Sequence, residues 1–385
     1  MSKHFGVVFL FTLFRLSSFE QTPITNSNAV VFCKVWGFLK YHHPALASGN
    51  TDWDSVCVMN ISIISKRKNK VEYNNQLEKI IDDAGKITME DDHTSSDTLF
   101  TSNLPDSISW IDRSNVLSSK VKAKLKFIYQ NKNQGLNRYI KIISNTADYS
   151  GENKYERIGF PSETYRLLFL ARFWNIINYY APYKYLVEEN WDNVLNRFIP
   201  RFVAVKDSVS YYKVLLELAK SLSDGHCQLS KSYQVAEINN LVLGKYTVPF
   251  YTDILVEKVI VRRLANDSLC RKAGITKGDV ILKADNLSIS QITRERKKHI
   301  SASNKSAEAH LLSRFILDGQ TPLSTLTIQR GDKIFTTTIQ RTLSAERNWG
   351  ELVNYMANDV GYKSLDDSTL LIYAMQIWDG NLDTL

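Results

Sequence analysis

Lys272-Ala273-Gly274-Ile275-Thr276-Lys277-Gly278-Asp279-Val280-Ile281 decides how the second half of this 385-residue chain is read. Its two glycines supply backbone conformations that residues with a side chain resist. Asp279 follows the second glycine and can bond the backbone groups of the turn, and Val280-Ile281 then opens a buried strand. A glycine turn before a strand is common, so its flanks decide what it belongs to.

On both sides the texture is short strands. Val248-Pro249-Phe250, Ile254 to Val261, Val280 to Ala284 and Leu326 to Arg330 read as strands, and Lys333 to Gln340 alternates as a closing strand would. Gly331-Asp332 supplies a hairpin turn, and Ala307 to Leu317 reads as a helix. Tyr246 to Arg341 is thus expected to form a small strand-rich domain with one or two helices. With its glycine turn, it resembles PDZ domains in the form found in bacterial proteases. That resemblance implies capture of an extended peptide end by strand addition, on an edge beginning with Tyr246, Val248 and Phe250.

Upstream the chain is helical. Ala29 to Tyr41, Glu72 to Ala84, Tyr165 to Tyr180, Trp191 to Phe202 and Val209 to Leu222 place apolar residues at helical spacing. Pro161 to Ser223 is expected to make a small helical bundle. Thr88 to Pro105 reads as a loop, and Lys120 to Tyr129, alternating basic and apolar residues, reads as a half-exposed strand. One pattern recurs. Trp36, Tyr41, Pro44, Trp53 and Asp54 return as Trp174, Tyr179, Pro182, Trp191 and Asp192, an offset of 138 residues at every position (174 − 36 through 192 − 54). The repeated unit reads as a Trp-bearing helix, a Pro-stopped end, a loop and a second helix opened by Trp-Asp. His42-His43 invites a metal reading, but the second copy holds Tyr180 and Ala181 there, which favours a packed or solvent-facing pair.

Ser223-Asp224-Gly225-His226 ends the helical region. Gly225 permits a sharp exit from the helix, leaving His226 at a helix-to-strand corner, a fixed position suited to a general base. A helical segment ending in Asp-Gly-His and followed by a PDZ-like module resembles the tail-specific (C-terminal-processing) serine peptidases and the tricorn core. Arg166-Leu167-Leu168-Phe169-Leu170-Ala171-Arg172-Phe173-Trp174-Asn175 through Trp191-Asp192, and Lys34-Val35-Trp36-Gly37-Phe38-Leu39-Lys40-Tyr41, are similar to a branch of that family with large exported members. The resemblance implies that His226 serves a nucleophilic Ser and that the substrate is a polypeptide. In the family that Ser lies in an α/β domain after the PDZ module. Here Val360-Gly361-Tyr362 reads as its first strand and Leu365 to Trp378 as the next helix, and the sequence stops at Leu385 with no G-x-S-x-G. A base without its nucleophile and oxyanion donors forms no acyl-enzyme, so the chain alone is expected to be inactive as a peptidase.

Composition is that of a folded protein of two or three domains, 44% hydrophobic and 23% charged. The net charge of +8 comes in short runs that read as solvated faces, and no nucleic-acid motif accompanies them. Lys3 and His4 precede an apolar run from Phe5 to Phe14, followed by Arg15 and small polar residues, a pattern of secretory signal peptides and too short to span a bilayer. Export to the periplasm or cell envelope is therefore expected. Cys33, Cys57, Cys227 and Cys270 show no metal or redox spacing. Cys33 with Cys57 is the local candidate for a bridge, and four buried small hydrophobes is the preferred reading. No metal and no cofactor is expected.

The fold class expected is α+β and multidomain: a signal-like segment over 1–21, an N-terminal α/β region with the first Trp-Asp unit over 22–150, a helical domain over 151–244, a PDZ-like domain over 245–342 and the start of an α/β domain over 343–385. The function expected is that of the front portion of a tail-specific serine peptidase, with His226 catalytic and Tyr246, Val248 and Phe250 at the peptide edge. The alternative is a non-catalytic peptide-binding or scaffold protein of the envelope.

Overall fold

A computed structural model describes residues 26–87, 108–133, 137–143, 146–155, 160–225, 227, 240–344, 362–364, 366 and 370–372. The signal-like segment and the loop expected over Thr88 to Pro105 lie outside them. The chain is α+β and divides into two compact units, Met1–Ala204 and Val205–Leu385. This boundary divides the region expected to be one helical domain over 151–244.

The first unit is mainly helical: α1 (Asn26–His42), α2 (Pro44–Ala47), α3 (Trp53–Ile64), α4 (Lys70–Asp83), α5 (Ser109–Arg113), α6 (Ser119–Gln130), a small hairpin of β1 (Lys141–Ile143) and β2 (Thr146–Asp148), then α7 (Glu163–Tyr180) and α8 (Trp191–Ala204). Side chains start several of these helices. Asp52 caps α3 through the Ser55 amide, Asn69 caps α4, and Ser118 caps α6 through the Val121 amide. The last of these corrects a sequence expectation: Lys120 to Tyr129 is helical, not a strand. Val121, Leu125 and Ile128 are its buried residues, four and three apart. The basic residues between them mimic a period of two, but the apolar residues that find a core follow the helical period.

The core is aromatic. Trp36, Trp53 and Trp174 are fully buried, and Trp191 nearly so. In α1 and α3 the Trp36 indole N–H donates to the Trp53 carbonyl (2.8 Å) and the Trp53 indole to the Trp36 carbonyl (3.0 Å). In α7 and α8 Trp174 and Trp191 make the same two bonds at 2.7 and 3.0 Å. The contacts between the two helix pairs also match. Lys34 pairs with Asp192 (2.6 Å) and Arg172 with Asp54 (3.2 Å). Adding 138 to Lys34 and subtracting it from Asp192 turns one pair into the other. The ring contacts Tyr41–Tyr180 (5.7 Å) and His42–Tyr179 (4.5 Å) exchange in the same way. The Asn175 amide donates to Cys33 (2.9 Å) and Ala171 (2.8 Å) carbonyls, themselves 138 residues apart, and its own counterpart is Gly37, where a Cβ would collide with the Asn175 side chain.

His42 stacks on Phe38, its Nδ1–H donates to the Phe38 carbonyl at 3.0 Å, and burial pushes its pKa down to about 4. It is a packed ring. Among the described residues no group of His, Cys, Asp and Glu could hold a metal ion. The four cysteines are free thiols, and burial pushes the Cys33 thiol up to about 12. No helix among the described residues is long and apolar enough to cross a membrane.

The second unit opens with α9 (Ser208–Lys220), started by an Asp207–Ser210 capping box. Then come β3 (Tyr246–Thr247), β4 (Phe250–Leu255), β5 (Lys258–Leu264), α10 (Asp267–Lys272), β6 (Val280–Ala284), β7 (Leu287–Ser288), α11 (Ile289–Arg296), α12 (Lys305–Ser313), β8 (Leu323–Arg330), β9 (Lys333–Gln340) and β10 (Thr342–Leu343). The main sheet runs β4-β5-β6-β8-β9, with β7 on β6, and all its pairings are antiparallel. Ile254 to Val261, expected as one strand, spans a hairpin instead. Val256 and Glu257 both take positive φ (47° and 62°), the geometry of a two-residue turn whose twist matches that of the strands. Neither residue is one of the usual turn formers, which hid the turn in the sequence.

The Gly274–Asp279 turn forms as its residues require. Gly274 and Gly278 both have positive φ, 69° and 92°. Asp279 is buried and accepts from the Thr276 amide (2.9 Å) and from Arg330 Nε and Nη2 (2.6 and 2.8 Å). Burial alone would raise its pKa, but the Arg330 and Thr276 hydrogen bonds outweigh this and hold it below the usual carboxylate range. Further along, β11 (Tyr362–Ser364) and β12 (Leu370–Ile372) form an antiparallel pair. Within the helix expected over Leu365 to Trp378 this corrects Leu370 to Ile372, too short an apolar run to separate helix from strand by period; most of the rest of that segment lies outside the described residues.

Candidate functional site

The sheet edge is where strand chemistry is available. β4 is the outermost strand on its side of the main sheet, and α12 packs beside it. The Thr252 hydroxyl donates to the Ser313 carbonyl (2.8 Å), tying the end of α12 to the strand. A groove results between the two elements. One part of its lining is apolar: Val248, Phe250 and Leu317, all buried. The other part is polar: Asp253 on β4, Arg262 on β5, and His310 and Arg314 on and just after α12.

These polar groups are mutually arranged. Arg314 Nη2 lies 3.0 Å from His310 Nε2, and Arg262 lies 3.7 Å from the Asp253 carboxylate. Partial burial, then the cations Arg314 and Arg262, push the His310 pKa down, against the pull of Asp253. A neutral imidazole can accept from the guanidinium and so orients it.

Of the residues expected at the peptide edge, Val248 and Phe250 line this groove through its apolar part. Tyr246 does not. Its amide and carbonyl both bond Gly319 (2.9 Å each), and β3 pairs with β10, so its backbone is already engaged. Phe250 to Leu255 of β4 pairs with a strand on one side only among the described residues, as β9 does at the other end of the sheet. Sequence reasoning missed Arg262, His310 and Arg314. The only local signal was a His and an Arg four apart on a predicted helix, which faces nothing until the sheet order is known.

His226 lies outside the described residues, but the corner around it is described. Ser223 has positive φ (51°), a conformation that costs a residue with a side chain. The Gly225 amide donates to Ser303 Oγ (3.3 Å), Ser301 Oγ donates to the Asp224 carbonyl (2.8 Å), and the Cys227 amide donates to the Asp224 carbonyl (3.1 Å). Lys220, at the end of α9, pairs with Glu308 of α12 (3.1 Å). The corner is thus held by the segment that leads into the groove helix.

A third cluster, in the first unit, is charged and buried. Lys40 reaches Asp54 (2.7 Å) and Glu152 (2.6 Å), Arg172 reaches both carboxylates, and Tyr41, Asn153 and Tyr155 complete their hydrogen bonding. Each charge is answered inside the cluster, which makes it a clasp on the Glu152 loop.

No protein-family model matches the chain, and no curated protein sequence does. Among solved structures it is similar to a photosystem II D1 C-terminal processing protease, with 17% sequence identity over 48% of this chain and 44% of that one, at a TM-score of 0.26. The chain therefore spans less than half the length of that protein.

Proposed function

We propose that this chain is the front portion of a tail-specific serine peptidase, and that its second unit is a PDZ-like module that captures the C-terminal end of a polypeptide. The observation that carries the capture reading is β4, outermost in an antiparallel sheet with α12 alongside it. An extended peptide adds to such an edge through backbone hydrogen bonds, while the helix and strand side chains form the pockets that select among peptides. Val248, Phe250 and Leu317 suit an apolar terminal side chain.

The first unit is scaffold in this reading. Its two helix pairs, α1–α3 and α7–α8, are two copies of one unit about a pseudo-twofold axis near Gly37 and Asn175. The matched indole bonds and the exchanged ion and ring pairs support this. His226 takes the role of general base, on the strength of the Asp224-Gly225-His226 corner and its resemblance to the tail-specific family. The partner is a polypeptide, and the place of action is the periplasm or cell envelope.

The capture reading is tested with labelled peptides that end in an apolar residue. The chain should bind the form with a free carboxyl terminus and bind the terminal amide at least about tenfold more weakly, because a charge-assisted bond contributes about 1.5–3 kcal/mol. Equal binding of both forms, or of neither, removes the reading. The catalytic role is tested by His226→Ala in a form of the protein that carries the nucleophile domain. Cleavage of tailed substrates should fall by at least about a hundredfold, in line with loss of a general base, with peptide affinity unchanged. Retained cleavage would show that another group accepts the proton.

A further inference from the structure

The two copies in the first unit differ in what covers them. In the first copy the segment after α6 lies across the turn that joins α1 to α3. The Asn133 amide donates to the His42 carbonyl and the Arg138 amide to the Ala47 carbonyl (2.9 Å each), and Tyr139 Oη donates to the Thr51 carbonyl (3.3 Å). Leu46 and Ala47 are buried there. The joining stretch has the same length in the second copy, where Tyr180, Tyr185 and Glu189 stand in the places of His42, Ala47 and Thr51 (an offset of 138). Among the described residues no hydrogen bond reaches the Tyr180 or the Tyr185 carbonyl. Tyr183, Tyr185 and Leu186 are 67%, 73% and 63% exposed, and the two tyrosine rings lie 6.4 Å apart. Beside them Glu188 is exposed and, among the described residues, has no ion pair.

We propose that the turn between α7 and α8 docks a stretch of another polypeptide with the chemistry of the segment that covers the first copy: basic, bearing an apolar side chain, and seated by its backbone. The inference rests on the two-copy reading of the first unit and not on peptide capture. Asn133 and Arg138 are five residues apart (138 − 133), so the docked stretch offers two N–H groups at that spacing to the Tyr180 and Tyr185 carbonyls. Tyr183, Tyr185 and Leu186 take its apolar side chain, and tyrosines lose little conformational entropy when a partner covers them. Charge agrees. Residues 131–141 hold Lys132, Arg138 and Lys141 and no acid, and Glu188 makes the uncovered turn negative. An anionic lipid surface would suit the tyrosines but not Glu188. One position differs. A Cβ on Gly49 would strike the Arg138 side chain, and Val187 stands in the place of Gly49. The docked stretch therefore carries a small residue where the first copy's cover carries Arg138.

The probe is a labelled peptide with the sequence of residues 131–141 and the change Arg138→Ala. Both ends are blocked, so a site that reads a free carboxyl terminus contributes nothing. Binding to the full chain is measured by fluorescence anisotropy at neutral pH. The peptide should bind saturably, and a peptide of the same composition in scrambled order should bind at least about tenfold more weakly. N-methylation at the position of Arg138 removes the donor to the Tyr185 carbonyl and should weaken binding about two- to tenfold, the range for one neutral hydrogen bond. The double variant Tyr183→Ser, Leu186→Ser changes side chains that stand in solvent and should lose binding while its urea midpoint stays that of the parent. Equal binding of the ordered and scrambled peptides, binding of neither to a chain folded by circular dichroism, or binding that the double variant keeps overturns the docking site. So does cosedimentation of the unaltered chain, and not of the double variant, with vesicles of phosphatidylethanolamine and phosphatidylglycerol, which would assign the patch to a lipid surface. Each of these results leaves the two-copy reading standing, because the exchange of Gly37 with Asn175 decides that one separately.

Discussion

Lys40→Ala should lower the stability of the protein by about 3–5 kcal/mol, the usual cost of removing one partner from a buried ion pair. Lys40 has no exposed surface and bridges two carboxylates, Asp54 at 2.7 Å and Glu152 at 2.6 Å. Its removal leaves Arg172 as the one cation facing both acids within the cluster, and Arg172 lies towards the rim. The measurement is urea unfolding of the full chain followed by tryptophan fluorescence, since the indoles of Trp36 and Trp53 lie in the same helix pair. Lys40→Met, which keeps the stem, should be nearly as harmful, because the missing charge and not the missing volume is the cause. A loss under about 1 kcal/mol for both variants, the range of surface pairs, would show that the cluster is solvated in solution.

The cluster also sets a pH dependence. Burial by itself would raise the Asp54 pKa, but Lys40 and Arg172 and the hydrogen bonds from Lys40 and Tyr155 more than offset it, so the folded value lies below the ordinary one. A carboxylate depressed on folding contributes stability that is complete above its unfolded pKa, about 3.9. That contribution is lost as pH falls through the folded value. The protein should therefore hold its stability down to about pH 5 and lose it in the acid range below about pH 4, and Asp54→Asn should flatten that loss.

Gly37→Ala should cost about 2–6 kcal/mol, and the exchange of Gly37 with Asn175 should cost far less. A Cβ on Gly37 falls inside van der Waals contact of the buried Asn175 side chain. Overpacking costs about 1–3 kcal/mol, and pushing the amide aside breaks its bonds to the Cys33 and Ala171 carbonyls, which adds about 1–3 more. The double exchange, Gly37→Asn with Asn175→Gly, is different if the two helix pairs are copies about an axis. Asn at 37 would then meet the same two carbonyls in reversed order, and position 175 would supply the clearance. Its stability should lie within about 1.5 kcal/mol of the parent, the range of volume-conserving core changes, while Gly37→Asn alone should unfold the first unit. If the double variant is as unstable as the single one, the symmetry does not extend to the helix crossing.

Much of this protein is legible in its sequence. The Gly274 and Gly278 turn, the starts of α3 and α8 at Trp-Asp, and the 138-residue recurrence all rest on neighbours a few residues apart or on a repeated pattern. Such features are set by local sterics and hydrogen bonding, which a sequence displays directly. Local readings failed where the signal was ambiguous or the turn residues unusual. Lys120 to Tyr129 alternates like a strand but buries a helical face, and Val256-Glu257 turns without Gly or Asn. What only the tertiary structure decided is which distant groups meet. Lys34 finds Asp192, not the Asp54 of its own helix pair, and Asn175 fills the space left by Gly37. The strand order leaves β4 outermost and brings His310 and Arg314 beside it. These pairings join residues tens to more than a hundred positions apart, and no local periodicity encodes them. They follow from which faces can be buried together, and that is settled only when the whole chain packs.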